Sequence, residues 1–169
     1  MSLKEKIKPH IKTGNFTLSS GKKSKFYVDI KKASTDPDIL KEIAEEMAAL
    51  IGSQKPDTIA GMAVGGIPIA TALSLETKVP FIMVRKESKE HGTLSKIEGT
   101  FSPGAKVVVV EDVTTTGGSA LAAVNAVREH YGTCDTVLVV VDRGEGAFGT
   151  LQKEGIALKA LVNAKELLD

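Results

Sequence analysis

The chain has 169 residues, 42% apolar and 25% charged, which is the ordinary globular range and the length of one domain with a full core. A formal net charge of +1 supplies no strong global field, so the composition does not point to nonspecific binding to nucleic acid or to an anionic membrane, and any anion site must be local. The single cysteine, Cys134, excludes an internal disulfide and reads as a small buried residue in a reducing compartment.

The N-terminal ten residues alternate basic and apolar side chains, unlike a secretory signal, so a cytoplasmic protein is expected. Residues 2–12 predict a short amphipathic helix with Leu3, Ile7 and Ile11 on one face, ended by Thr13 and Gly14. Residues 16–18 and 26–30 are short extended runs joined by a polar stretch at 19–25, a hairpin-like unit. Asp36-Pro37 starts a helix, with Asp as N-cap and Pro at the first helical position, and Ile39, Ile43, Met47 and Leu50 carry its apolar stripe to Gly52. Strand runs follow at 58–62, 80–84, 106–110, 136–141 and 156–161, most of them separated by helical segments near 67–77, 117–131 and 146–154. The longest uncharged run, 58–75, approaches the span of a bilayer, but Gly61, Gly65, Gly66 and Pro68 break it into strand, turn and helix. This alternation predicts an α/β fold with a mostly parallel sheet between helices, whose ligands gather at the carboxyl ends of the strands. One domain is expected over 1–169, with hood elements in 1–34 and the α/β core in 35–169.

The strand run Lys106 to Val110 is expected to end at two adjacent carboxylates, Glu111 and Asp112. After Val113 comes Thr114-Thr115-Thr116-Gly117-Gly118-Ser119, and then a helix from Ala120 with Leu121, Val124 and Val127 on its inner face. Small residues let backbone N–H groups and hydroxyls close on a tetrahedral anion, and the helix N-terminus adds partial positive charge, so the turn reads as a phosphate cradle. Carboxylates beside it would repel a bare phosphate and must serve sugar hydroxyls or a metal ion, unless they merely cap the turn. It is no Walker loop, because the Gly-Lys-Ser/Thr ending is missing, and no Gly-x-Gly-x-x-Gly dinucleotide turn occurs there.

The string from Val107 to Ala120 closely resembles the phosphoribosyl pyrophosphate (PRPP) motif of type I phosphoribosyltransferases. The resemblance implies their fold, with Glu111 and Asp112 facing the ribose hydroxyls, and Val113 and Thr114 to Ser119 wrapping the terminal phosphate. Further stretches resemble the orotate-using branch of that family. In Phe16 to Asp29 a Ser-Gly turn leads to an aromatic strand, where Tyr27 or Phe26 would cover the base; alternatively the two pack a small hood. Relatives often carry Lys where this chain has Ser19.

Arg85-Lys-Glu-Ser-Lys-Glu-His-Gly92 alone would be a solvated surface loop, but it resembles the branch's catalytic lid, expected here over 85–99. Arg85, Lys86, Lys89 and His91 would then surround the departing pyrophosphate. In the family this loop reaches the neighbouring subunit's site, which implies a homodimer. Arg143, after the fourth core strand run, would hold the orotate carboxylate with its two-pronged guanidinium, with Thr115 helping to position the base; a salt bridge with Asp142 or Glu145 is the plain alternative. Gly65 and Gly66 fall where relatives place a pyrophosphate loop, and some of those carry Lys at Gly65.

The expected reaction is transfer of the phosphoribosyl group to orotate in pyrimidine synthesis, with Lys89, His91 and Asp112 as catalytic residues and Mg2+ held mainly by substrate and water. His10 and His130 read as structural or exposed. Two rivals remain: a transferase for another base, and a regulator that senses PRPP without chemistry.

Overall fold

The computed structural model describes residues 1–53, 55–87, 91 and 95–169. The chain opens with α1 (Leu3–Ile7), whose N-cap Ser2 and Glu5 form a capping box, and a single 3-10 turn (Lys8–His10). Ile11, expected in this helix, is instead the first residue of β1 (Ile11–Thr17), which pairs antiparallel with β2 (Lys23–Val28). Pro9 within the turn and Gly14 beyond it leave no length for a second helical turn, and Ile11 finds its partner in Val28. A one-turn helix, α2 (Ile30–Ala33), follows, capped by Asp29 and missed by the periodicity because it is four residues long. Then comes α3 (Pro37–Ile51), started by Asp36 and Pro37 as expected.

The core elements are β3 (Thr58–Met62), α4 (Gly66–Thr77), β4 (Phe81–Val84), β5 (Ile97–Glu98), β6 (Lys106–Thr114), α5 (Gly118–Glu129), β7 (Thr133–Asp142), α6 (Ala147–Gln152), β8 (Ala157–Asn163) and α7 (Ala164–Leu168). Six strands form one sheet in the order β5-β4-β3-β6-β7-β8, parallel except for the short β5 at one edge. From β3 the chain first moves outward to β4 and later returns on the other side as β6. The sheet therefore reverses direction between β3 and β6, the place where open α/β sheets leave a crevice at the strands' carboxyl ends.

Pleating sends alternate β6 residues to opposite layers. Val108 and Val110 pack with Ile43 and Met47 of α3, Ile69 and Leu73 of α4 and the buried Leu3 and Ile7 of α1. Val107 and Val109 pack with Ala123, Val124 and Val127 of α5 and Leu151 of α6. No helix among the described residues is long and apolar enough to cross a membrane.

Glycine sets how closely α4 approaches the sheet. A Cβ on Gly61 would lie 2.7 Å from the Cβ of Ala70, and one on Gly66 would lie 2.5 Å from the Val110 carbonyl oxygen. Backbone cannot yield to such contacts without moving α4 away from β6, so Gly66→Ala is expected to lower stability by roughly 1–3 kcal/mol, read from the urea midpoint. Gly149, inside α6, has nothing within 4 Å of its would-be Cβ; Gly149→Ala is the control, expected to leave stability unchanged or raise it by about 0.5–1 kcal/mol.

Candidate active site

The strand β6 does not stop before its carboxylates: it continues to Thr114, extended by the Arg143 N–H donating to the Thr114 carbonyl at 3.0 Å. Glu111 and Asp112 are thus strand residues, not turn residues, and the pleat parts them. Glu111 turns toward α5, where the Ser119 hydroxyl meets it. Asp112 turns toward α2 and the turn before α4, where Lys31 Nζ donates to Oδ2 at 2.9 Å. Both are buried, at 4% and 9% exposure, which is unusual for carboxylates without a functional reason.

Two adjoining chambers open over these residues. The first, about 180 Å3, lies between β2, the turn after β3 and the tip of β6, and its walls include Tyr27, Lys31, Gly65, Asp112 and Arg143. The second, about 310 Å3, is walled by the whole run Thr114 to Ser119. Glu111, Val113, Thr115, Ser119, Lys86 and Ser19 border both, so the two form one elongated cleft. Gly117 is the N-cap of α5 with φ +88°, a left-handed conformation that favours glycine, and it turns the chain so that the N-terminus of α5 faces the second chamber. A larger groove, about 940 Å3, lies at the opposite, amino end of β6 and β7 beside Lys106 and Thr133, away from these groups.

Gly65 matters for closeness rather than for backbone freedom: its φ is an ordinary −67°, but a Cβ there would sit 2.1 Å from Asp112 Oδ2. No side chain fits at position 65 while Asp112 keeps this place. Gly66 begins α4 directly behind it.

Arg143 is 6% exposed and bridges hood and core. Its guanidinium lies 3.9 Å from the centroid of the Phe26 ring, Nη2 donates to Ser24 Oγ at 2.7 Å, and Nη1 donates to the Phe26 carbonyl at 3.3 Å. Nε and Nη2 also donate to Glu145 Oε1, at 3.3 and 3.2 Å. The salt bridge weighed from the sequence therefore forms with Glu145, while Asp142 accepts from the Gly144 N–H. The two aromatics divide: Tyr27 lines the first chamber and packs on Phe16, whereas Phe26, expected to share the cover, supports Arg143 and the core beneath.

Lys86 lines both chambers, but Arg85 turns to Glu98, donating from Nε and Nη2 at 3.0 and 2.9 Å, and His91 is exposed; neither belongs to the chamber walls within this chain. Lys89 and much of the expected lid lie outside the described residues. Sequence reasoning passed over Lys31, which no motif marks, and Ser20, which joins Ser19 above the second chamber.

Burial pushes the Glu111 carboxyl up to about 7, with Asp112 adding to the rise and Ser119, Lys86 and Lys31 opposing it. Its Oε2 has no hydrogen-bond partner among the described residues. A buried carboxylate oxygen without a donor is costly, and a ligand hydroxyl would relieve that cost.

The family model for the phosphoribosyl transferase domain matches residues 31–153, from α2 through α6, which fixes the class of the fold and of its cleft. The orotate phosphoribosyltransferase of Methanocaldococcus jannaschii is 53% identical over 157 residues, covering 93% of this chain and 89% of its own. The chain belongs to the orotate phosphoribosyltransferase family. Among solved structures, UMP synthase of Leishmania donovani is 35% identical with a TM-score of 0.88 over 98% of this chain, which spans 36% of that longer protein. Orotate phosphoribosyltransferase of Mycobacterium tuberculosis H37Rv, in complex with PRPP, is 31% identical with a TM-score of 0.80, covering 99% of this chain and 97% of that one.

The raised Glu111 value makes a pH prediction. The folded chain holds the proton more tightly than the unfolded one, so this contribution to stability is fully present below about pH 4.5 and is lost as pH rises through about 7. The loss is on the order of 3 kcal/mol. Glu111→Gln is expected to flatten this decline in urea titrations taken from pH 4.5 to 8; an unchanged slope would place the titrating group elsewhere.

Proposed function

We infer that this chain transfers the phosphoribosyl group of PRPP to orotate, forming orotidine monophosphate and pyrophosphate in pyrimidine synthesis. The observation that carries the reading is the buried Glu111 Oε2, without a hydrogen-bond partner among the described residues, beside an intact Thr114–Ser119 cradle. An acceptor in that place repels phosphate and welcomes a hydroxyl, while the N-terminus of α5 a few residues on welcomes phosphate. A ribose phosphate offers both groups.

In the reaction the bond from the anomeric carbon to the pyrophosphate oxygen breaks, its electron pair leaves with pyrophosphate, and an orotate ring nitrogen supplies the new pair. Orotate is already an anion, so alignment matters more than a general base. On this reading Glu111 and Asp112 fix the diol, Thr114 to Ser119 hold the monophosphate, Tyr27 covers the base, and Thr115 helps to position it. Arg143 offers its guanidinium to the orotate carboxylate, which would take over the place that the Glu145 carboxylate fills here. Lys86 faces the leaving group from the same chain. Magnesium, held mainly by substrate and water, would add positive charge where negative charge grows on the leaving group.

We also read the active unit as a homodimer in which Arg85, Lys89 and His91 act across the subunit boundary, in a cytoplasmic protein. Support comes from the resemblance of 85–92 to the family's lid and from the absence of Arg85 and His91 from the walls of their own chain's cleft.

Mixing the protein with Mg2+ and PRPP is expected to change absorbance with orotate and not with uracil, adenine or hypoxanthine. Turnover of a purine would favour a transferase for another base, and PRPP binding without any turnover would favour a sensor. Arg143→Lys keeps the charge but loses the fork, and should raise the KM for orotate about tenfold or more while the KM for PRPP changes little.

Lys89→Ala should slow turnover far more than it weakens orotate binding. Mixing that variant with Asp112→Asn subunits should restore part of the activity if the loop is shared, and no recovery after subunit exchange would make each site self-contained.

A further inference from the structure

Lys31 reaches the cleft from α2, an element that none of the motifs read from the sequence includes. The short helix α2 is fixed by its buried Ile30 and Ala33, and its N-cap Asp29 accepts from the Lys32 N–H at 3.1 Å and from Lys12 Nζ at 2.9 Å. Lys31 is thereby aimed at the tip of β6, where its Nζ donates to Asp112 Oδ2. Gly65 lies against the same carboxylate, nearest Oδ2, with no room for a side chain. Asp112 thus has a cation on Oδ2 and bare backbone close beside it, and the turn after β3 cannot provide the cation itself.

We propose that Lys31 is a positioning residue for the transfer reaction, acting through Asp112. By occupying Oδ2 it sets the carboxylate plane and leaves Oδ1 for a ribose hydroxyl, so that the diol meets a preset acceptor instead of a freely rotating one. This rests on reading the cleft as a ribose-phosphate site. A purely structural role fits poorly. The Lys31 side chain is 52% exposed, and an ion pair so open to water contributes little to stability. Burial lowers the affinity of this ammonium for its proton, yet the hydrogen bond and charge of Asp112 outweigh burial and the net shift is upward. The charged groups facing neighbouring Glu111 are Asp112 on β6, Lys31 on α2 and Lys86 after β4, with the Ser119 hydroxyl on α5. Lys31 is one of the two cations opposing the rise of Glu111, so its removal should move the titration of Glu111 to higher pH.

The test compares wild type, Lys31→Gln and Lys31→Arg for kcat/KM with PRPP across pH 5.5–9, a range of about 1.5 units below to 2 above the Glu111 value. Orotate KM and melting temperature are measured alongside. Lys31→Gln should lower kcat/KM for PRPP about tenfold or more at neutral pH. Its acid limb should shift upward, with orotate KM within about twofold and melting within a few degrees of wild type. Lys31→Arg should recover most of the loss. Equal impairment of Gln and Arg variants, or a Gln variant whose PRPP kinetics and pH profile match wild type, overturns the role of Lys31 while leaving the cleft intact. Wild type that takes up no PRPP overturns the ribose-phosphate reading and the Lys31 role together.

Discussion

Two carboxylates adjacent in sequence, buried at the end of a parallel strand, set the terms for everything around them. Strand geometry sends Glu111 and Asp112 to different sides, so each needs its own partners. Asp112 finds Lys31 and requires Gly65 to stay bare; Glu111 finds Ser119 at the start of α5 and keeps one oxygen without a partner among the described residues. The free chain carries an electrostatic cost there that a donor-rich ligand can lift.

The topology makes that arrangement possible. Because the sheet reverses between β3 and β6, α4 and α5 both begin beside the crevice, on opposite layers of the sheet, and the glycines at 61 and 66 let α4 pack close behind β6. The β1–β2 hairpin closes the cleft from above and is tied to the core through Arg143, whose guanidinium meets Phe26 and Ser24 of β2 and Glu145 beyond β7. One side chain thus joins the hood to the floor and borders the first chamber, so a change at Arg143 touches the hood, the core and the cleft together.

Much of this was legible in the residues. The β3 boundaries, the start of α3 at Asp36-Pro37 and the cradle from Thr114 to Ser119 follow from period, capping and turn chemistry, all of which act over a few residues. Ile11 read as helical because its apolar spacing continues that of Leu3 and Ile7, and only its pairing with Val28 makes it a strand residue. The short α7 and the two-residue β5 carry too little pattern to be seen, and exist because the core and β4 receive them.

The sequence by itself determined the class of fold, the small-residue turn before α5 and the acidic pair, because each is written in contiguous residues whose backbone preferences and spacing are local. Tertiary structure alone decided that β6 runs on through the acids, that Lys31, 81 positions away from Asp112, becomes its partner, and that Gly65 is excluded from carrying a side chain. It also turned Phe26 beneath Arg143 and left Tyr27 at the chamber. Such relations depend on distances between segments remote along the chain, and local residue preferences carry no record of which remote groups will meet.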